Sequence, residues 1–154
     1  ITMGAEYDLE FVRKFTDMAL FTSVVENLPR GFNSEVNEKG VNLSGGQQQR
    51  LALSRGLLAS HDKDIILLDE PTSSLDVVTE FTVYDNIFRE FRGKTVISTV
   101  HHLNLLPRFD LIYVFDKGEI VGSGTIPELL TNCPKFQALW EAMRKAEKGE
   151  LQVV

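Results

Sequence analysis

The sequence has only one cysteine, Cys133, so no disulfide can close within the chain and a disulfide-stapled scaffold is excluded. A lone thiol fits a reducing compartment, and Cys133 itself reads as a packing residue at a helix end. Basic residues are in deficit: 16 Lys and Arg face 22 Asp and Glu, a formal charge of −6. That balance argues against a chain-wide electrostatic footprint for nucleic acid or an anionic membrane, and no nucleic-acid partner is expected. A polyanion would need a local pocket. Long apolar runs are missing as well. The longest, such as Leu111-Ile112-Tyr113-Val114-Phe115, fall far below the roughly 18 residues that a membrane span requires. There is no internal repeat and no low-complexity tract, and Ile1-Thr2-Met3-Gly4 lacks the pattern of a secretory leader. What remains is globular composition, 43% apolar and 25% charged, over a length that suits one domain with a sizeable core.

From Asp8 to about Asn27, apolar residues recur every three or four positions and predict a helix. Leu28-Pro29-Arg30-Gly31-Phe32-Asn33-Ser34 then breaks it with loop-forming residues. Ser44 is placed to N-cap a helix running from about Gly46 to Ser60. The pattern changes at Asp64–Asp69, a continuous Ile/Leu run bounded by charges, which predicts a strand buried on both faces of a parallel sheet. Asp76 caps a further helix with Val77, Phe81, Tyr84, Phe88 and Phe91 on its apolar face. Thr95–Val100 and Asp110–Phe115 read as two more strands, completing a strand–helix–strand–helix–strand order that is α/β. The turn signal Asp116-Lys117-Gly118 folds Glu119-Ile120-Val121 back as a hairpin. Pro127 and Pro134 open two terminal helices, the second with Phe136, Leu139, Trp140 and Met143 on one face.

Chemistry concentrates in two places. In Leu43-Ser44-Gly45-Gly46-Gln47-Gln48-Gln49-Arg50, paired glycines at a helix start let backbone N–H groups approach a ligand, and the helix dipole with the Ser44 hydroxyl favours an anion such as phosphate. The same glycines also serve a tight entry into the helix. Downstream, Leu68-Asp69-Glu70-Pro71 sets two carboxylates at the carboxyl edge of a parallel sheet, where such folds bind ligands. Asp69 suits Mg²⁺, and Glu70 suits orienting or deprotonating an attacking water. Ser73-Ser74-Leu75-Asp76 and His101 also fall at sheet-edge positions, His101 directly after the next strand and so expected beside the same cleft as Glu70. His101-His102 is a poor metal pair, because adjacent residues point apart and no third ligand is evident.

These residues carry a resemblance to the ATP-binding cassette (ABC) proteins. Leu43 to Gln47 resembles their signature motif, and Ile65 to Glu70 their Walker B strand with its catalytic glutamate. Ser74-Leu75-Asp76 is similar to the D-loop, and His101 to the switch histidine. The resemblance implies an ATP sandwich, in which two nucleotide-binding domains pair head to tail as a homo- or heterodimer. One domain's signature helix, here Ser44, Gly45, Gly46 and Gln47, then contacts the γ-phosphate of ATP held by the other. It also implies that Asp69 engages Mg²⁺, Glu70 polarises water, His101 contacts the γ-phosphate and Asp76 couples the two sites.

One departure outweighs the agreements: the P-loop, G-x-x-x-x-G-K-[ST], is absent. Arg92-Gly93-Lys94-Thr95 is no substitute, since Phe88 stands where the first glycine belongs and the triplet leads from helix to strand. Gly122-Ser123-Gly124 is no dinucleotide fingerprint, because Pro127 stands at the third glycine position. The upstream glutamine and adenine-stacking aromatic of the family are missing too. The expected fold is therefore a partial P-loop NTPase-like α/β sheet, lacking the Walker A strand and helix, with a helical subdomain carrying the signature. Its divisions are expected at 1–60 (helical subdomain and signature helix), 61–126 (remainder of the catalytic core) and 127–154 (terminal helices and tail). The missing strand would lie between the strands ending at Val100 and Asp116. Leu28-Pro29-Arg30-Gly31 and the Ser34–Asn42 segment resemble the exporter-type loop that meets a transmembrane partner, with Asn37 in place of a glycine. The expected protein is the C-terminal portion of an exporter cassette at the cytoplasmic face of a membrane, an ATPase inactive without its N-terminal half. An importer cassette, a soluble chromosome- or ribosome-associated ATPase and a non-catalytic module lending its signature helix are the alternatives.

Overall fold

In a computed structural model the described residues are 1–2, 4–36 and 43–147. They form two compact units, Ile1–Thr99 and Val100–Val154. The exporter-like loop residues 37–42 lie outside the described residues.

The first unit begins with α1 (Leu9–Met18) and α2 (Thr22–Glu26), two helices where the periodicity predicted one. The chain breaks at Leu20, whose φ of 54° is left-handed. Phe21 N–H donates to the Thr16 carbonyl at 2.7 Å, and the buried Thr16 and Thr22 hydroxyls bond each other at 2.6 Å across the break. Arg50 donates to the Leu20 carbonyl at 2.8 Å, so a backbone group freed by the break gains a charged partner. The turn lets Phe15, Phe21 and Val25 enter one core, which a straight helix would have spread along its length.

The helix predicted after Ser44 is α3 (Gly45–Ala59). Its Leu53, Leu57 and Leu58 join that core. Next come β1 (Ile65–Leu68), α4 (Val77–Glu90) and β2 (Thr95–Ser98), a β-α-β unit with β1 and β2 parallel and Ile66 opposite Val96. The buried face of α4 is Glu80, Val83, Tyr84 and Ile87, with Phe91 buried at its end. Val77 and Phe81, expected on that face, are exposed. Aromatic spacing alone misjudged the face by about one position, because Glu80 is taken inward by a polar partner.

β1 is not buried on both faces as expected. Ile66 is 2% exposed, whereas Leu67 on the opposite face is 75% exposed. Within this unit α-helices cover one side of a two-stranded sheet, and Ile65, Leu67 and Ile97 stand bare on the other.

The second unit opens on a six-residue 3-10 segment, Leu103–Arg108, where the alternating pattern had a helix; Pro107 lies inside it and lacks the N–H that a longer helix would use. β3 (Ile112–Asp116) and β4 (Glu119–Gly124) then pair antiparallel, as the turn signal predicted. Lys117 and Gly118 both have positive φ, the combination of a type I′ hairpin turn. α5 (Ile126–Asn132) and α6 (Pro134–Glu147) pack Leu129, Cys133 and Phe136 against Ile112 and Val114. Leu139, expected on the packing face of α6, is exposed.

Candidate functional site

The α3 start is built by its own sequence. The Ser44 oxygen accepts the Gln47 N–H at 3.3 Å while the Gln47 side-chain oxygen accepts the Ser44 N–H at 2.9 Å, a reciprocal capping box. The Ser44 hydroxyl hydrogen is left to donate outward, and the first-turn N–H groups of Gly45 and Gly46 have no intrahelical acceptor. A Cβ built on Gly45 meets nothing within 4 Å, whereas one on Gly46 would lie 3.4 Å from the Ser74 carbonyl oxygen. Gly45 therefore faces open space, and Gly46 permits α3 to approach the segment that follows β1.

That segment, Asp69 to Asp76, is held from three sides. Thr99, one residue beyond β2, donates to Asp69 Oδ1 at 3.1 Å and accepts the Glu70 N–H at 2.7 Å. From α3, the Gln49 carboxamide donates to the Glu70 carbonyl and the Ser73 hydroxyl, each at 2.9 Å, and accepts the Ser74 N–H at 2.8 Å. From α4, the buried Glu80 carboxylate accepts the Thr72 hydroxyl at 2.6 Å. Tyr84 bonds the Ser98 hydroxyl at 2.6 Å nearby, and burial pushes its phenol pKa upward. Glu70 has a φ of 44°, a conformation that L residues seldom adopt and that turns its exposed side chain out at the strand end.

Asp76 is the N-cap of α4 and accepts the Thr79 N–H at 3.0 Å. Hydrogen bonds from Thr79, side chain first and then backbone, hold its carboxyl below the usual range. His101 lies in the second unit and is exposed. Ser44, Gly45, Gly46, Gln47, Asp69, Glu70 and Asp76 all lie in the first unit, where Gly46 comes close to the Ser74 carbonyl of the segment between Glu70 and Asp76.

The donor set can be tested against the expected ligands. Among the described residues no group of three or more His, Cys, Asp or Glu forms a metal cage. Mg²⁺ does not need one, since it commonly takes one or two carboxylates and completes its shell with phosphate and water. Asp69 is exposed and oriented by a neutral hydroxyl, which fits that arrangement.

Sequence reasoning missed Gln49, Thr99 and the Thr72–Glu80 pair. Thr99 becomes readable once β1 and β2 are in register, because Leu68 opposite Ser98 puts the next residues, Asp69 and Thr99, side by side. Gln49 gives no local signal, since its partners lie 21 to 25 residues away.

A parallel strand ending in two carboxylates, followed by a capped helix and packed against a glycine-started helix, defines part of a P-loop-type nucleotide-binding fold. Residues 7–73 match the family described as ABC transporter. The chain is 43% identical over 130 residues to the ABC multidrug transporter atrD of Emericella nidulans, covering 84% of this chain and 10% of that protein. It is 39% identical over 138 residues to a multidrug resistance ABC transporter ATP-binding and permease protein of Lactococcus lactis, covering 88% and 23%. The structure of a bacterial Atm1-family ABC exporter with ATP bound aligns with a TM-score of 0.78 at 30% identity, covering 88% of this chain and 23% of that one. The chain belongs to the ABC transporter family, as part of a nucleotide-binding domain of the exporter type. It spans between about a tenth and a quarter of the length of these relatives. No helix among the described residues is long and apolar enough to cross a membrane.

Proposed function

We propose that this chain is the signature-bearing portion of a nucleotide-binding domain that hydrolyses ATP and couples the hydrolysis to export across a membrane. Its partners are a P-loop-bearing segment of the same cassette, a second cassette in head-to-tail contact and a transmembrane domain, with the chain itself at the cytoplasmic face. The observation that carries the reading is the pairing within one unit of an open, glycine-started helix N-terminus with the Asp69–Glu70 strand end.

Each residue then has a physical task. The Ser44 hydroxyl and the Gly45 and Gly46 N–H groups donate to the γ-phosphate of ATP bound by the partner cassette, with the α3 dipole adding to the attraction. Gln47 keeps that first turn in shape through the capping box. Asp69 would hold Mg²⁺, which when bound neutralises charge on the transferred phosphoryl group. Glu70 accepts a hydrogen bond from the attacking water and draws its proton as the new bond forms. His101 contacts the γ-phosphate, and Asp76 carries the state of one site to the other across the dimer. A net charge of −6 is no obstacle, because the attraction comes from helix N–H groups and from a lysine on the P-loop segment.

The test is Glu70→Gln in the intact transporter. Hydrolysis should be abolished while ATP binding and ATP-dependent pairing persist. Sustained turnover in that variant would remove Glu70 from its role.

A further inference from the structure

We propose that Gln49 is a positioning residue for Glu70, fixing the catalytic turn to the signature helix of the same chain; this rests on the function proposed above. Gln49 sits on α3 one turn after Gly45, about 6 Å along the axis. Its carboxamide offers two donors and one acceptor group, and all three functions are spent on the segment Glu70–Ser74: the Glu70 carbonyl at 2.9 Å, the Ser73 hydroxyl at 2.9 Å and the Ser74 N–H at 2.8 Å. Glu70 is the residue there that most needs such support. Its left-handed φ of 44° has no glycine to make it easy, and its own peptide groups are gripped from opposite elements. The N–H is held by Thr99 beyond β2, and the carbonyl by Gln49 on α3. The close approach of Gly46 to the Ser74 carbonyl brings α3 near enough for the short carboxamide arm to span the gap. With Gln49 removed, the Glu70 carbonyl keeps the longer 3.4 Å bond from the Ser73 N–H of its own turn, the tie to α3 is lost, and the carboxylate loses its fixed aim at the water it activates. The motif residues Ser44–Gln47 face a ligand outside this chain, whereas Gln49, two positions on, serves this chain's own glutamate.

The experiment uses the intact transporter with Gln49→Ala and Gln49→Glu, each alone and combined with Glu70→Gln. Alanine is the better helix former, so α3 is preserved. Glutamate keeps an acceptor for the Ser74 N–H but opposes a carboxylate oxygen to the Glu70 carbonyl. Misplacing a reacting group by about 1 Å costs up to about a hundredfold, so Gln49→Ala should lower kcat about 10- to 100-fold with KM for ATP within about twofold. Gln49→Glu should lose at least as much. In the Glu70→Gln background, adding Gln49→Ala should leave ATP affinity within about twofold of the Glu70→Gln parent, because no working glutamate remains to be positioned. An unchanged kcat in Gln49→Ala, a raised KM with kcat intact, or a loss of ATP affinity in the double variant matching the loss of kcat would each overturn the proposal. Turnover retained by Glu70→Gln alone would instead bring down the assignment of Glu70 on which the proposal stands.

Discussion

Gly45→Asp separates folding from ligand capture at the α3 N-terminus, because the two respond with opposite sign. A side chain at Gly45 meets nothing within 4 Å, and its φ is not left-handed. Replacing a helical glycine gains about 0.5–1 kcal/mol, and an acidic group in the first turn adds about 0.3–1 kcal/mol through the helix dipole. The melting temperature should therefore rise rather than fall. An anion at the same N–H groups feels the reverse. A carboxylate about 5 Å from one phosphate charge, at an effective dielectric constant of about 20, repels it by about 3 kcal/mol, or about a hundredfold or more in affinity. Gly45→Asn supplies nearly the same shape without the charge and should keep most of the affinity. The assay is ATP hydrolysis by mixed dimers of the intact transporter beside a thermal melt of the same samples, with Ser44→Ala as a second probe of the same turn. The deficit should fall on the ATP held by the unmodified subunit. Full activity of the Asp variant would refute the phosphate role, and a lowered melting temperature would refute the open geometry at Gly45.

Three further outcomes test the packing around the site and in the second unit. Thr72→Val removes the hydroxyl that the buried Glu80 carboxylate accepts at 2.6 Å and should cost about 1–3 kcal/mol in a urea melt; a neutral result would mean that Glu80 finds an equal partner elsewhere. Gly122→Ala would bring a Cβ to 2.8 Å from Cys133 Sγ and 3.2 Å from Leu129 Cδ2, so it should destabilise by about 1–3 kcal/mol, and Cys133→Ala should recover part of that loss in a double-mutant cycle. Asp76 is held below the usual carboxylate range by Thr79, and Glu128 by the Thr125 N–H and hydroxyl. The unfolded chain binds protons at these groups more readily, so the stability they contribute is present above about pH 4 and is lost as pH falls through their folded values. Asp76→Asn, which still caps α4, should flatten the acid limb of the stability profile, and an unchanged limb would show that Asp76 contributes nothing to it.

Features encoded by neighbours in sequence were legible beforehand. Ser44 and Asp76 cap the helices they precede because the residues that need capping lie within three positions, and Lys117-Gly118 makes its turn because the strands it joins are adjacent. Features that depend on distant partners were hidden. The break at Leu20 is stabilised by Arg50, 30 residues on, and no periodicity in residues 8–27 announces it. The buried face of α4 is set by Glu80 meeting Thr72 as much as by its apolar residues, so an apolar stripe alone pointed to Val77 and Phe81. The candidate site divides the same way: the motif residues stand out by their spacing, while the hydrogen bonds of Gln49 and Thr99 to the Asp69–Ser74 segment join residues 21 to 30 positions apart and exist only after folding.

The uncovered face of the parallel sheet links sequence to function most directly. Ile65-Ile66-Leu67-Leu68 has the composition of a strand covered on both sides, yet Leu67 is 75% and Ile97 52% exposed in this unit. A solvated face of an antiparallel sheet normally alternates polar residues into its pattern, and β1 contains none. The sequence is thus written for a layer that the described residues do not provide. In the proposed assembly the P-loop-bearing segment is that layer, and the P-loop is the motif absent from this chain. Burying Leu67 and Ile97 would contribute about 1.5–3 kcal/mol each. Phosphate binding and completion of the core would then arrive with the same segment, so that Asp69 and Glu70 acquire their nucleotide at the step that covers the strand carrying them.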